Sequence, residues 1–329
     1  MPSPAVTRAH ALAAEGRHRD AFAALAEASG AGDSDALRQL ADWRIQGGIV
    51  RRDLGEARAL LQRAAAAGND DAALLHAFFA ANGVGGPSDW PGALESLREL
   101  APRIAQARAQ LDALADFALD EAGGPMTTPQ LERLSESPSV AVARGLLGAA
   151  ECAYLVSRAT PMMAPSLVVD PATGRMGPHP IRTCDFASFG VYYEDFVVGA
   201  INRRIAALSG TDHAHGEPLQ VLRYFPGGEY RPHMDALPAT DNQRIVTVLV
   251  YLDEDYEGGE TDFPELGLRF RGRPGDALMF ANVDAEGRAD PRARHAGLPV
   301  RSGTKLVASR WIRRTRFAYP PPTPILADS

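Results

Sequence analysis

Three copies of a 36-residue pattern occupy the first third of the chain, and a fixed period of that length sharply limits what this part can fold into. The shift aligns Ala21 with Ala57 and Ala93, Ala36 with Ala72, Gly32 with Gly68, Gly47 with Gly83, and Asp53 with Asp89. Such a period is the mark of stacked units, none of which can bury its hydrophobic face alone. Small residues at fixed positions let paired helices approach closely, and glycines close the turns between them. Each unit is therefore expected to be a helix hairpin resting on the next. Residues 1–122, dense in Ala, Leu, Arg and Glu, read as an α-solenoid fragment whose third copy degrades after Leu100.

A different composition begins further on. After residue 160 Pro, Gly, Val and Tyr take over, which marks a domain boundary, and a chain of 329 residues exceeds what one hydrophobic core usually organises. "GGPMTTP" (Gly123–Pro129) and the break Ser135–Ser139 around Pro138 predict a connector over 123–139. A helix over Ala141–Arg158 would buttress a sheet, "SLVVDPATGRMG" reads as strand, turn and mobile loop, and Glu194–Leu208 as an amphipathic helix. From Pro218 onward, "LQVLRYF", "RIVTVLVYL", "TDFP", "LRFR", "DALMFAN", "HAGLPV" and "LVASRWIR" are short strand-like runs separated by Gly, Pro or Asp. Short strands without long helices between them predict an antiparallel barrel or jelly roll. The expected class is α+β multidomain: a solenoid over 1–122, a jelly roll with flanking helices over 140–317, and an extended Pro-rich tail over 318–329.

Composition removes several functions. A net charge of -7 offers no basic footprint for nucleic acid. The N-terminus has no apolar core of signal-peptide length, and the longest strongly apolar run, Ile245–Leu252, is too short to span a bilayer. The expectation is a cytoplasmic protein with no membrane or nucleic-acid partner. Cys152 and Cys184 are too few for a disulfide framework and are not spaced for zinc. Nothing in the sequence reports an oligomeric state.

The chemistry centres on "YFPGGEYRPHMDAL". In an extended strand residues i and i+2 face one side, so His233 and Asp235 project together while Met234 points away. A His-x-Asp alone is weak, because a chain with eight histidines can hold one by accident. The third ligand candidate is His295 in "RHAGLPVRSGTKLVASRWIR", with Lys305 following the Gly303 turn on the next strand. Two histidines and a carboxylate form the facial triad of non-haem Fe(II) oxygenases, which leaves coordination positions open. A lysine deep in a barrel suits the far carboxylate of a dicarboxylate cosubstrate.

Four segments, "ECAYLVSRATPMMAPSLVVDPATGR", "EPLQVLRYFPGGEYRPHMD", "VTVLVYLDEDYEGGETDFPELGL" and "GDALMFANVDAEGRADPRARHAGLPVRSGTKLVASRWIR", resemble in order the catalytic domain of the prolyl 4-hydroxylase family of Fe(II)- and 2-oxoglutarate-dependent dioxygenases. The resemblance covers residues 145–316. It implies a double-stranded β-helix with His233, Asp235 and His295 as iron ligands, Lys305 on the 5-carboxylate of 2-oxoglutarate, and Thr261 and Tyr224 assisting. Tyr230, Thr247, Tyr251 and Trp311 fall at family positions that line or support the pocket. Fe(II), 2-oxoglutarate and O2 are the implied cofactor and cosubstrates, with ascorbate as reductant. One departure is Leu306, where the family commonly has an aromatic residue, and it is expected to alter packing beside these sites. The stretch "GGIVRRDLGEARALLQRAAAAGNDDAALLHAFFAANGVGG" is similar to Sel1-like tetratricopeptide repeats. Those repeats fit either a structural cap or a peptide- or protein-binding surface.

Chance scatter would have to explain four residue types at matched positions together with the "GGET" and "GDALMF" turns. The intact triad also argues against an inactive relative. His213 and His215 in "TDHAHGE" read as a solvated loop, and His10, His18 and His76 as surface or packing residues. His179 and Arg182 fall in a segment that in the family is a loop near the substrate, where Arg182 is either a substrate contact or a plain loop arginine. Three readings of function remain open. They are hydroxylation of a prolyl residue in a peptide or protein presented by the repeats, hydroxylation of a free amino acid or other small molecule, and a repeat scaffold in which the oxygenase is a sensor.

Overall fold

The computed structural model describes residues 1–169, 176–178, 181–320 and 322–326. The repeat positions explain the first layer. Seven helices run in order: α1 (Pro4–Ala14), α2 (His18–Gly30), α3 (Ser34–Gln46), α4 (Leu54–Ala66), α5 (Asp70–Asn82), α6 (Trp90–Leu100) and α7 (Ala105–Leu114). Ala21, Ala57 and Ala93 sit at equivalent places in α2, α4 and α6, and Ala36 and Ala72 in α3 and α5, all of them buried. Small side chains at these buried places let the helices pack closely. Asp53 and Asp89 cap α4 and α6, their carboxylates accepting from the amides of Glu56 and Gly92. Gly47 and Gly83 end α3 and α5 in the left-handed conformation.

The connector expected over 123–139 is corrected by the structure. It contains β1 (Leu131–Glu136), paired antiparallel with β2 (Ser139–Ala143), and the helix expected from Ala141 is only α8 (Ala149–Ala159). β1 is exposed on both faces and so shows no alternation, whereas Val140–Ala143 is an apolar run whose strand and helix readings periodicity cannot separate.

The remaining elements are β3 (Ala164–Pro165), β4 (Leu167–Val169), β5 (Met176–Pro178), β6 (Asp185–Phe189), α9 (Phe196–Ser209), β7 (Leu219–Tyr224), β8 (Tyr230–His233) and β9 (Arg244–Tyr251). There follow β10 (Tyr256–Gly258), β11 (Thr261–Phe263), β12 (Leu268–Phe270), β13 (Ala277–Ala281), β14 (His295–Gly297), β15 (Val300–Gly303) and β16 (Lys305–Arg313). The large sheet has the order β1-β2-β13-β9-β16-β7-β6-β3, and the small one β12-β11-β14-β8. Every pairing is antiparallel, as in a jelly roll. The centre of the large sheet is buried on both sides. Val248, Val250, Ala308 and Ile312 join the core shared with the helices, while Thr247, Leu249, Val307 and Trp311 face the barrel interior.

α9 was expected to be amphipathic and is instead buried nearly all round, because the sheet covers one side and the repeats cover the other. Phe196 meets Phe78 and Trp90 edge to face at 6.0 and 5.2 Å. Arg203 lies over the Trp90 ring at 4.7 Å and donates to Asn82 Oδ1 and to the Ala81 carbonyl. The amide nitrogen of Asn82 in turn donates to the carbonyl of Glu194 at 2.7 Å. The Pro-rich tail also returns to the repeats. Arg52 donates to the Pro320 carbonyl, and the amides of Ile325 and Leu326 donate to the carbonyls of Gly48 and Ile49.

Arg203→Ala removes charge-assisted hydrogen bonds at this buried junction and takes the Arg203 donor from Asn82 Oδ1, while the Ala81 carbonyl keeps the Ser88 hydroxyl. It is expected to lower unfolding free energy by about 3 kcal/mol in urea titration, whereas an exposed control such as Arg133→Ala changes it by less than about 0.5 kcal/mol.

Candidate metal centre and cosubstrate pocket

Cross-strand register assembles the site. β14 pairs with β8 so that His295 stands directly opposite His233, and Asp235 follows two residues past the end of β8. His233 Nε2 lies 3.6 Å from Asp235 Oδ1, and His295 Nε2 lies 3.6 Å from Asp235 Oδ2. Among the described residues this is the one group of three such side chains, with a ligand atom from each within 4.8 Å of the others. The other ring nitrogens are tied to the backbone, His233 Nδ1 to the Arg231 carbonyl at 2.8 Å and His295 Nδ1 to the Ala293 carbonyl at 3.0 Å. A carbonyl can only accept, so the proton sits on Nδ1 and the Nε2 lone pairs face inward.

Electrostatics favour the same state. Burial pushes His295 toward its neutral form. Burial opposes ionisation of the Asp235 carboxyl, while the hydrogen bond it accepts from the Thr247 hydroxyl favours the carboxylate. Two imidazoles, each with Nδ1 tied to the backbone, and a carboxylate on one side of a cavity are a donor set that fits a divalent iron.

The other end of the cavity holds a cation. Lys305 begins β16 directly opposite Tyr224 on β7, so both side chains enter the barrel beside each other. Its ammonium donates to the Gly259 carbonyl at 2.7 Å and lies 5.5 and 5.7 Å from the Tyr224 and Tyr251 ring centres. Gly259 has φ +67°, and a Cβ there would sit 3.1 Å from the Lys305 chain, so the glycine of "GGET" shapes this contact. Burial pushes the Lys305 amine down to about 8.

The remaining expected residues fall into two layers. Tyr224, Tyr230, Thr261 and Trp311 line the cavity itself. Tyr230 stacks on the His233 ring, 3.5 Å between centres at 14°. Tyr251 and Thr247 stand behind: the Tyr251 and Thr261 hydroxyls are 2.7 Å apart, and the Thr247 hydroxyl donates to Asp235 Oδ2 at 2.7 Å. Leu306 does not pack beside the site as expected, since alternation along β16 turns it toward the helical core. His213 and His215 form a short turn capped by Asp212, with His213 half-buried rather than solvated and apart from the triad. Arg182 lies over the Phe186 and Tyr230 rings at 5.1 and 5.8 Å, which puts it at the rim. His179 lies outside the described residues.

Sequence reasoning missed two features. Asn282 donates to Thr247 Oγ1 at 2.9 Å, and Arg244 forms a two-pronged pair with Glu217 at 2.6 and 2.8 Å while lying over the Trp311 ring at 4.0 Å. Their only signals were a polar residue closing "DALMFAN" and charges flanking two strands, neither tied to the triad by spacing.

With this geometry in view, the class is defined: residues 219–313 match the model of the 2OG-Fe(II) oxygenase superfamily. Prolyl 4-hydroxylase 1 of Arabidopsis thaliana is 36% identical over 203 residues, covering 56% of this chain and 71% of the relative. Prolyl 4-hydroxylase subunit alpha-1 of Rattus norvegicus is 33% identical over 186 residues, 54% of this chain and 35% of that one. The chain belongs to the prolyl 4-hydroxylase family of Fe(II)- and 2-oxoglutarate-dependent oxygenases. A solved viral collagen prolyl hydroxylase from Paramecium Bursaria Chlorella virus-1, in its 2OG complex, is 29% identical with a TM-score of 0.44, covering 54% of this chain and 96% of that one. A Sel1 repeat protein from Oxalobacter formigenes is 23% identical with a TM-score of 0.30, covering 33% of this chain and 85% of that one. Among the described residues no helix is long and apolar enough to cross a membrane.

Lys305 supplies a test of the buried cation. Its amine falls from 10.5 to about 8, so between these values the folded protein binds fewer protons than the unfolded chain and stability rises with pH. Below pH 8 the full cost of the buried charge is present. Lys305→Met is therefore expected to stabilise the cosubstrate-free protein at pH 7 by roughly 2–3 kcal/mol, the gain shrinking toward pH 10, as read by urea unfolding across pH.

Proposed function

We propose that this chain is an Fe(II)- and 2-oxoglutarate-dependent dioxygenase that hydroxylates a prolyl residue of a peptide or protein. The observation that carries the reading is the convergence of His233, Asp235 and His295 in one cavity with the buried ammonium of Lys305. Iron, 2-oxoglutarate and O2 bound there would supply the oxidising chemistry, in which C–H becomes C–OH while 2-oxoglutarate becomes succinate and CO2. Ascorbate would serve as the external reductant.

The residues divide the work. His233, Asp235 and His295 would hold the metal from one side, leaving the opposite positions free. Lys305 would release Gly259 and pair with the far carboxylate of 2-oxoglutarate, an exchange that satisfies a buried charge. Thr261 and Tyr224 would flank that carboxylate, with Tyr251 orienting the Thr261 hydroxyl. Tyr230 would fix the His233 ring, and Trp311, held beneath Arg244, would form a wall near the reacting carbon. Leu222, Leu249 and Val307 keep the space apolar and exclude water.

In this reading residues 1–122 form a repeat domain that presents the substrate chain, residues 140–317 form the oxygenase, and the protein works in the cytoplasm. The prolyl specificity of the relatives supports a peptide substrate. The test is 2-oxoglutarate turnover with and without proline-containing peptides, with mass spectrometry for a gain of one oxygen. Peptide stimulation is expected, and turnover stimulated only by free amino acids would replace the peptide substrate with a small molecule. His233→Ala is expected to abolish succinate formation even with Fe(II) in excess, and full activity in that variant would remove the metal assignment. Lys305→Ala is expected to raise the KM for 2-oxoglutarate at least tenfold while metal binding persists.

A further inference from the structure

We infer that Asn282, acting through Thr247, is a positioning residue that makes Asp235 a one-oxygen metal ligand; this rests on the iron site proposed above. Asn282 lies one residue past β13 and is 1% exposed. Its backbone is pinned on both sides, the amide donating to the Ile245 carbonyl and the carbonyl accepting from the Asp290 amide. Its side-chain nitrogen donates to Thr247 Oγ1 at 2.9 Å, and Thr247 Oγ1 donates to Asp235 Oδ2 at 2.7 Å.

The direction of this chain follows from valence. A threonine hydroxyl carries one proton, and an ionised carboxylate only accepts, so that proton goes to Asp235. The hydroxyl oxygen must then face a donor, which is the Asn282 NH2 group. The opposite end of the amide, Oδ1, is buried and has no hydrogen-bond partner among the described residues. A buried unpaired acceptor is costly, so the amide is held in this orientation at the expense of its own satisfaction.

The consequence falls on the metal. Each carboxylate oxygen of Asp235 stands 3.6 Å from one histidine Nε2, so distance alone leaves both open to a metal. The hydrogen bond separates them: Oδ2 is engaged by Thr247, and Oδ1 keeps its full lone-pair density. A carboxylate bound through both oxygens would occupy a position that a two-point cosubstrate and O2 together require. Asn282 thus protects an open coordination position without touching the metal, as outer partners of metal ligands commonly do.

The experiment measures Mn(II) affinity of the full chain by electron paramagnetic resonance, without turnover. Thermal unfolding of the metal-free variants runs alongside. Thr247→Val and Asn282→Leu are each expected to raise Kd roughly tenfold. Asn282→Asp is expected to raise it further, because an acceptor placed there draws the Thr247 proton away from Asp235. Since both residues act through one bond, adding Asn282→Leu to Thr247→Val should cost nothing more. With Co(II), the visible band of Asn282→Leu is expected to shift relative to wild type as the second carboxylate oxygen engages. Wild-type affinity in Asn282→Leu, or fully additive losses in the double variant, overturns the inference. If the leucine variant does not fold, Asn282→Ser, which keeps a donor, must bind Mn(II) more tightly than Asn282→Asp, and the reverse order overturns it. Failure of the wild-type protein to bind Mn(II) would instead remove the iron site itself.

Discussion

The β14–β8 register on which the site depends is a short one, joining a three-residue strand to a four-residue strand. Pairing His295 with His233 brings two imidazoles to one spot, and a slip by one residue would turn either ring to the opposite face. Such short strands cannot hold their register unaided. Around them Phe263 and Phe280 meet edge to face and both pack on the His295 ring, so the aromatic core behind the minor sheet supplies the constraint.

Around this pair the protein arranges charge in a mostly apolar interior. Asp235 accepts from the Thr247 hydroxyl, while the Lys305 ammonium donates to a carbonyl between two aromatic faces, with the carboxylates of Asp253 and Glu260 acting on it from farther off. Burial works against both charges, and each is offset by a hydrogen bond to a neighbouring polar group.

The repeat layer is bound to this chemistry through α9. One face carries the sheet that bears Lys305 and Thr247, and the opposite face, equally buried, packs on α5, α6 and α7 of the repeats. Arg203, Asn82 and Glu194 bond across that seam, and the tail crosses it again near Gly48.

Much of this could be read from the order of residues alone. A repeat at fixed spacing predicts paired helices because helical packing depends on small residues at regular intervals. His233, Asp235, His295 and Lys305 stand out because their residue types and flanking glycines match one chemistry. What spacing could not show was β1, polar on both faces, or the burial of α9 on all sides, since each depends on a distant partner. Asn282 and the Glu217–Arg244 pair belong to the same group. The sequence determined the repeats, the strand-like runs after Pro218 and the candidate ligand residues, for which local periodicity and residue chemistry suffice. Only the tertiary structure decided which strand faces which, and so which hydroxyl, amide and ring orient those ligands, because cross-strand register is a long-range property.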